Sequence, residues 1–167
     1  MNLQDDIATI NQRHWENAVR AGKDFTLPWL DLDLAALRAF QEGRRDVLPS
    51  PCSEDAIEGI VMRDVRSKDV LCLASGGGQQ SAVFALLGAR VTVVDLAEGQ
   101  LEGDRKAAAH YGYDVTTIQA DMRDLAGLAD TSFDLVYQAP SMCFIPDVRK
   151  VFTEVGRVLR PGGYYRV

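Results

Sequence analysis

Apolar residues recur along this chain with two different periods, and the rhythm changes near residue 69. Over residues 3–21, Ile7, Ile10, Trp15, Ala18 and Val19 fall at helical spacing together with His14, which predicts an amphipathic helix. The stretch GKDFTLPWLDLD then breaks the pattern, and Pro28 marks an extended or turn element. A second helix is predicted from a cap at Asp31 or Asp33 through about Glu42, ended by Gly43. DVLPSPCSED reads as a loop. Ser53, followed by Ala56, Ile57, Ile60, Val61 and Met62, predicts a further short helix.

Beyond residue 69 the pattern alternates between short apolar runs and helical segments. DVLCLA (69–74), ARVTVVD (89–95), YDVTTIQA (113–120), FDLVYQA (133–139) and GYYRV (163–167) read as five strands. Helices are predicted over about 78–87, 98–111 and 146–159, with a short helix or turn over 124–129. Strands alternating with helices call for a parallel sheet with right-handed crossovers, an α/β fold.

Composition narrows the function classes. The 167 residues make one domain of ordinary size, and a net charge of −6 supplies no basic field to steer the chain toward nucleic acid. No apolar run reaches membrane-spanning length, and no basic–apolar–small signal pattern opens the chain. Cys52, Cys72 and Cys143 are odd in number and lack metal-type spacing, so reduced thiols and a cytoplasmic setting are expected and no metal site is.

Four strand ends carry distinctive residues and would share one rim: Ala74–Gly78, Asp95–Leu96, Asp121–Met122 and Gln138–Ser141. Gly76, Gly77 and Gly78 allow a tight backbone to approach a ligand, although a ligand-free strand-to-helix turn would use glycines equally well. Gly76-x-Gly78-x-x-Ser81 half-matches the dinucleotide fingerprint. Asp95, at the end of the second strand, suits either ribose hydroxyls or a helix cap. Glycine turn and acid together point to an adenosine-like ligand. Asp121 can accept from an adenine amino group, and the Met122 backbone can donate to a ring nitrogen; a turn acid with a packed methionine is the alternative. The glycines are not followed by a P-loop lysine, which disfavours a nucleoside triphosphate.

Taken in order, VLCLASGGGQQS, VTVVDLAEGQL, TIQADMRDL, SFDLVYQAPSMCFIPD and VGRVLRPGGYYRV resemble the successive motifs of class I S-adenosylmethionine-dependent methyltransferases. The resemblance covers 69–167. It implies a Rossmann-like sheet of order 3-2-1-4-5 with helices on both faces, and residues 1–68 as a helical N-terminal cap of the same domain. It implies S-adenosylmethionine as cofactor, with S-adenosylhomocysteine as product. Ala74, Ser75, Gly76, Gly77 and Gly78 would wrap its methionine part, Asp95 would hold the ribose, and Leu96 and Gln100 would lie beside the adenosine. Asp121 and Met122 would read the adenine edge. Gln138, Ala139, Pro140 and Ser141 would line the floor near the sulfonium.

The chain departs from the family pattern at Cys72, where many members carry an acid, and at Ala74, where many carry glycine. The family's usual sixth and seventh strands are missing, so a second copy is expected to cover the edge at 163–167. Neither His14 nor His110 is assigned as a base, Trp15 and Trp29 are read as anchors of the cap, Tyr111, Tyr113 and Tyr137 are read as packing residues, and no catalytic residue is named. The expected function is methyl transfer to a small-molecule acceptor. The alternatives are a non-catalytic module binding S-adenosylmethionine or S-adenosylhomocysteine, and an NAD(P)-dependent oxidoreductase.

Overall fold

The computed structural model describes residues 3–49, 51 and 64–167, with side chains from residue 6 onward. The short helix expected from Ser53, and Cys52, lie outside the described residues. The chain runs α1 (Leu3–Arg20), α2 (Leu34–Gln41), β1 (Asp69–Leu73), α3 (Gln80–Leu86), β2 (Arg90–Asp95), α4 (Glu98–Tyr111), β3 (Val115–Gln119), β4 (Phe133–Gln138), α5 (Val148–Val158) and β5 (Leu159–Arg166). All five strands are parallel, in the order β3-β2-β1-β4-β5.

Side-chain alternation on the central strands builds two cores. Val70, Cys72, Val91, Val93, Leu135 and Tyr137 face Phe40, Phe84, Leu87 and Leu101, which come from α2, α3, α4 and their ends. Leu71, Leu73, Val94 and Val136 face Val151, Val155 and Val158 of α5 on the other side. Burial on both faces explains why β1 reads as an unbroken apolar run.

Element ends differ from the sequence reading for identifiable reasons. Asp33, not Asp31, caps α2, its Oδ1 accepting the Ala36 N–H at 2.9 Å. The helix after the glycines starts at Gln80 rather than Gly78, because Gly77 and Gly78 hold φ of +111° and +74°, outside the helical region. Residues 124–129 form turns, not a helix. Pro146 stays outside α5, whose cap is Asp147 accepting from Arg149 N–H at 3.3 Å.

The largest difference is β5. It begins at Leu159, four residues before the expected 163, and it contains LRPGG. Phe133 pairs with Leu159 while Leu135 pairs with Tyr164, so β5 bulges between these pairs. Gly162 turns the bulge at φ +80°. The bulge aims Arg160 back across the sheet, where it donates to Asp134 at 2.7 Å and to Asp69 of β1 at 2.8 Å. The motif thus ties three strands together at their N-terminal ends.

Candidate functional site

At the opposite, C-terminal ends of the strands lies a cavity of about 410 Å³. Its base is built by Ala74, Ser75 and Gly76 after β1, Asp95 at the end of β2 and Leu96 after it, Asp121 and Met122 after β3, and Ala139, Pro140 and Ser141 after β4, with Gln100 reaching in from α4. Its roof comes from α1, which contributes Ile7, Asn11 and Trp15, and from Phe25 and Phe144.

Several contacts fix that roof. Trp15 packs edge-on against both Phe25 and Phe144, with centroids 5.6 Å apart in each pair. Asn11 donates from Nδ2 to the Phe144 carbonyl at 2.9 Å. Glu16 accepts the Gly99 N–H at 3.2 Å, placing a carboxylate at the N-terminus of α4. Gln79 donates to the carbonyls of Asp24 and Leu27 at 3.0 and 2.9 Å. The N-terminal segment is therefore clamped to the glycine loop as well as to α4. Tyr111, expected only to pack, accepts from Leu32 N–H at 3.0 Å and donates to the Trp29 carbonyl at 2.9 Å. His14 and His110 are exposed and do not line the cavity.

The polar groups of the base are arranged for donors. Asp95 is only 8% exposed. Its Oδ2 accepts Gly76 N–H at 3.1 Å and its Oδ1 accepts Ala97 N–H at 2.9 Å. Burial raises its pKa, against the amides of Ala97, Gly76 and Leu96, and nearby Glu16 adds to the rise. Ser75 Oγ and Gln100 Oε1 are buried without a hydrogen-bond partner. Leaving such a group unpaired costs about 1–3 kcal/mol. Two unpaired oxygens and a buried carboxylate around one cavity fit a ligand that brings hydroxyl or ammonium hydrogens, as the adenosyl and methionine parts of S-adenosylmethionine do.

The structure brings nine of the twelve expected cofactor residues to the cavity wall: Ala74, Ser75, Gly76, Asp95, Leu96, Gln100, Asp121, Met122 and Ala139. Gly77, Gly78 and Gln138 are not on it. The three glycines divide their work. Gly76 faces the cavity, where a Cβ would come within 2.6 Å of Gln100 Cβ and 3.0 Å of Asp95 Oδ2. Gly77 and Gly78 instead press on the backbone of α4. A Cβ on Gly78 would lie 2.8 Å from the Gly103 carbonyl carbon, and one on Gly103 would lie 2.8 Å from the Gly77 carbonyl carbon. Gln138 sits under the floor, donating to Ser141 Oγ at 2.9 Å and to Met122 Sδ at 3.4 Å.

Asp121 also differs from the simple expectation. Its carboxylate is held by Arg123, through the backbone N–H at 2.9 Å and through Nε at 3.0 Å to each oxygen. Burial alone would raise its pKa, but the Arg123 contacts outweigh this and hold it below the ordinary carboxylate value. Arg123 lines the cavity and was not foreseen; a pair two residues apart reads in sequence as a polar turn. Cys72 is fully buried in the core, and burial raises its pKa, so it remains a neutral thiol.

The most consequential residue that sequence reasoning missed is Asp104, which is fully buried. It accepts Gly77 N–H and Gly78 N–H, each at 3.1 Å, and the Ser81 hydroxyl. One signal was available. Asp104 falls in register with buried Leu101, Ala107 and Ala108, so an acid stands on the apolar stripe of α4.

Among the described residues, no three or more His, Cys, Asp or Glu side chains are grouped to hold a metal ion. No helix among them is long and apolar enough to cross a membrane.

Comparison with known proteins gives this geometry its context. A family model described as "Methyltransferase domain" matches residues 71–167. The chain is 33% identical over 157 residues to the uncharacterized methyltransferase YbaJ of Bacillus subtilis (strain 168), covering 92% of this chain and 58% of that protein. It is 40% identical over 100 residues to a demethylmenaquinone methyltransferase of Clavibacter sepedonicus, covering 59% of this chain and 40% of that one. A solved S-adenosylmethionine-dependent methyltransferase from Mesorhizobium loti matches with a TM-score of 0.56 at 30% identity, over 67% of this chain and 52% of that one. The chain thus spans 58% and 40% of the lengths of these two curated relatives. With more than half of its residues inside the family model and its sheet in the order the motifs called for, the chain belongs to the class I S-adenosylmethionine-dependent methyltransferase family.

Proposed function

We propose that this chain binds S-adenosylmethionine in the cavity at the strand C-terminal ends and transfers its methyl group to a small, largely apolar acceptor. The observation that carries the reading is the convergence of Asp95, Ser75 Oγ and Gln100 Oε1, acceptors lacking enough donors, on one roofed cavity. Bound there, the cofactor supplies a sulfonium methyl already activated for in-line displacement.

The protein's part is placement and exclusion of water. Asp95 keeps lone pairs free for two ribose hydroxyls while its amide partners fix its orientation. Leu96 and Met122 supply apolar surfaces for a flat ring. Ser75 and Gln100 accept the hydrogens that their buried oxygens lack. Trp15, Phe25 and Phe144 close the roof, and their apolar faces favour an acceptor poor in polar groups. The Clavibacter relative, named for a demethylmenaquinone acceptor, supports that preference.

Calorimetric titration with S-adenosylhomocysteine, NAD and NADP tests the cofactor assignment. Binding of S-adenosylhomocysteine alone is expected, and a response only to a nicotinamide nucleotide overturns it. Cofactor binding without methyl transfer to any member of an apolar phenol, thiol, amine and quinol panel identifies a non-catalytic module instead.

A further inference from the structure

Asp104 is an expensive residue to keep. It is fully buried on the apolar stripe of α4, and the three partners on its oxygens, Gly77 N–H, Gly78 N–H and the Ser81 hydroxyl, are all neutral donors. Those donors come from the segment whose preceding residues, Ala74, Ser75 and Gly76, form the cavity wall. The same contact brings the loop so close to α4 that a Cβ on Gly103 would lie 2.8 Å from the Gly77 carbonyl carbon and one on Gly78 would lie 2.8 Å from the Gly103 carbonyl carbon. The φ values of +111° and +74° at Gly77 and Gly78 turn both amides away from the cavity: the Gly78 N–H goes to this carboxylate, and the Gly77 N–H is shared between it and the Gln100 carbonyl at 2.9 Å.

We propose that Asp104 is a positioning residue for the cofactor: its ionised carboxylate, gripping Gly77, Gly78 and Ser81 from behind, sets the glycine loop in the shape that receives S-adenosylmethionine. This rests on the cofactor assignment made above. Ionisation matters because three hydrogens already point at the two oxygens. A proton on Oδ1 competes with the Gly78 N–H and the Ser81 hydroxyl and loosens that part of the loop, while the Gly77 N–H keeps the Gln100 carbonyl. A ligand that needs the gripped loop, and that carries a cationic ammonium group, therefore binds the ionised form better.

The setting makes that ionisation sensitive to pH near neutrality. Burial pushes the pKa of Asp104 up to about 7, opposed by the Ser81 and glycine hydrogen bonds and helped by Asp95. The titratable groups around it are Cys72 on β1, Tyr113 before β3, and Asp95 at the end of β2, which Glu16 of α1 faces in turn. Burial raises the pKa of both Cys72 and Tyr113, so they stay neutral through this range. Asp95 is the one neighbour that could mimic the effect, and the variants separate the two.

The first measurement is free of ligand. In a two-dimensional amide NMR titration, the Gly77 and Gly78 signals are expected to shift together with a midpoint near 7, and Asp104→Asn removes that transition. The second is calorimetry with S-adenosylhomocysteine from pH 8 to 6. Wild-type affinity is expected to fall about tenfold, as linkage to one group of this pKa requires, and Asp104→Asn binds weakly with a flat profile. Ser81→Ala is the milder variant should Asp104→Asn fail to fold: losing one donor moves the amide midpoint upward and weakens binding at pH 7. Unshifted glycine amides, or a wild-type pH slope that persists in Asp104→Asn, overturns the proposal while leaving the cofactor assignment standing. Absence of wild-type binding at every pH defeats the assignment itself, and the amide titration still reads the state of Asp104.

Discussion

Single residues divide the glycine loop into a part that faces the cavity and a part that faces protein, and the two fail differently. Gly76→Ala drives a methyl into Gln100 and Asp95, so S-adenosylhomocysteine affinity is expected to drop by more than tenfold with a modest loss of stability. Gly78→Ala meets the backbone of Gly103 at a positive φ. It is expected to cost about 3 kcal/mol by urea denaturation. Asp95→Asn keeps the shape but removes the charge that would hold two hydroxyls. Charged hydrogen bonds are worth about 1.5–3 kcal/mol each, so a calorimetric loss of about tenfold or more is expected. Comparable binding by Asp95→Asn and wild type would remove Asp95 from the site.

The sequence shows that glycines stand at 76–78, but a glycine does not say what presses on it. Only the meeting of the loop with Gly103 shows that two of the three serve packing. Asp104 was hidden for a related reason. An acid in a helix reads as a solvated face unless the apolar residues three places away on each side are weighed against it. Asp95 and Met122 were legible as cavity-lining residues because position alone, at the end of a strand in a parallel sheet, places them there.

Between elements, the docking of α1 is the contact on which the cavity depends. Trp15 lies between Phe25 and Phe144, and Glu16 meets the first turn of α4. Trp15→Ala is expected to cost about 2 kcal/mol, less than a fully buried aromatic would, and to raise the rate of proteolysis within 3–20. Glu16→Gln keeps an acceptor for Gly99 but loses the charge at the helix end, with an expected cost of about 0.5 kcal/mol. Equal proteolysis of Trp15→Ala and wild type would mean that the aromatic cluster does not hold α1. The helical period marked α1 correctly, yet it could not tell which apolar residues face inward. Ile7 lines the cavity, whereas Ile10 is 64% exposed. The bulged start of β5 was illegible for another reason, since proline and two glycines look like a loop until Arg160 is seen reaching Asp134 and Asp69.

At the scale of the whole molecule, the buried acids set how stability responds to pH. Asp104 ionises near 7 in the fold against 3.8 as a free side chain. Between those values the native state keeps a proton that the unfolded chain has released. Stability from this group is therefore present at low pH and lost as pH rises, by about 1.4 kcal/mol per unit up to pH 7. Asp95, raised by burial, acts in the same direction. Urea midpoints measured from pH 4.5 to 8 are expected to fall more steeply for wild type than for Asp104→Asn; parallel curves would place the Asp104 pKa near its ordinary value. The glycine loop is thus held by a group whose ionised form weakens the fold.

The ring cluster around Trp15 gives the molecule a built-in optical probe. Its indole packs edge-on against Phe25 and Phe144 and roofs the cavity, so ligand entry would alter its emission. With Trp29→Phe removing the second indole, the fluorescence of one ring would report cavity occupancy in real time, without label or coupled assay.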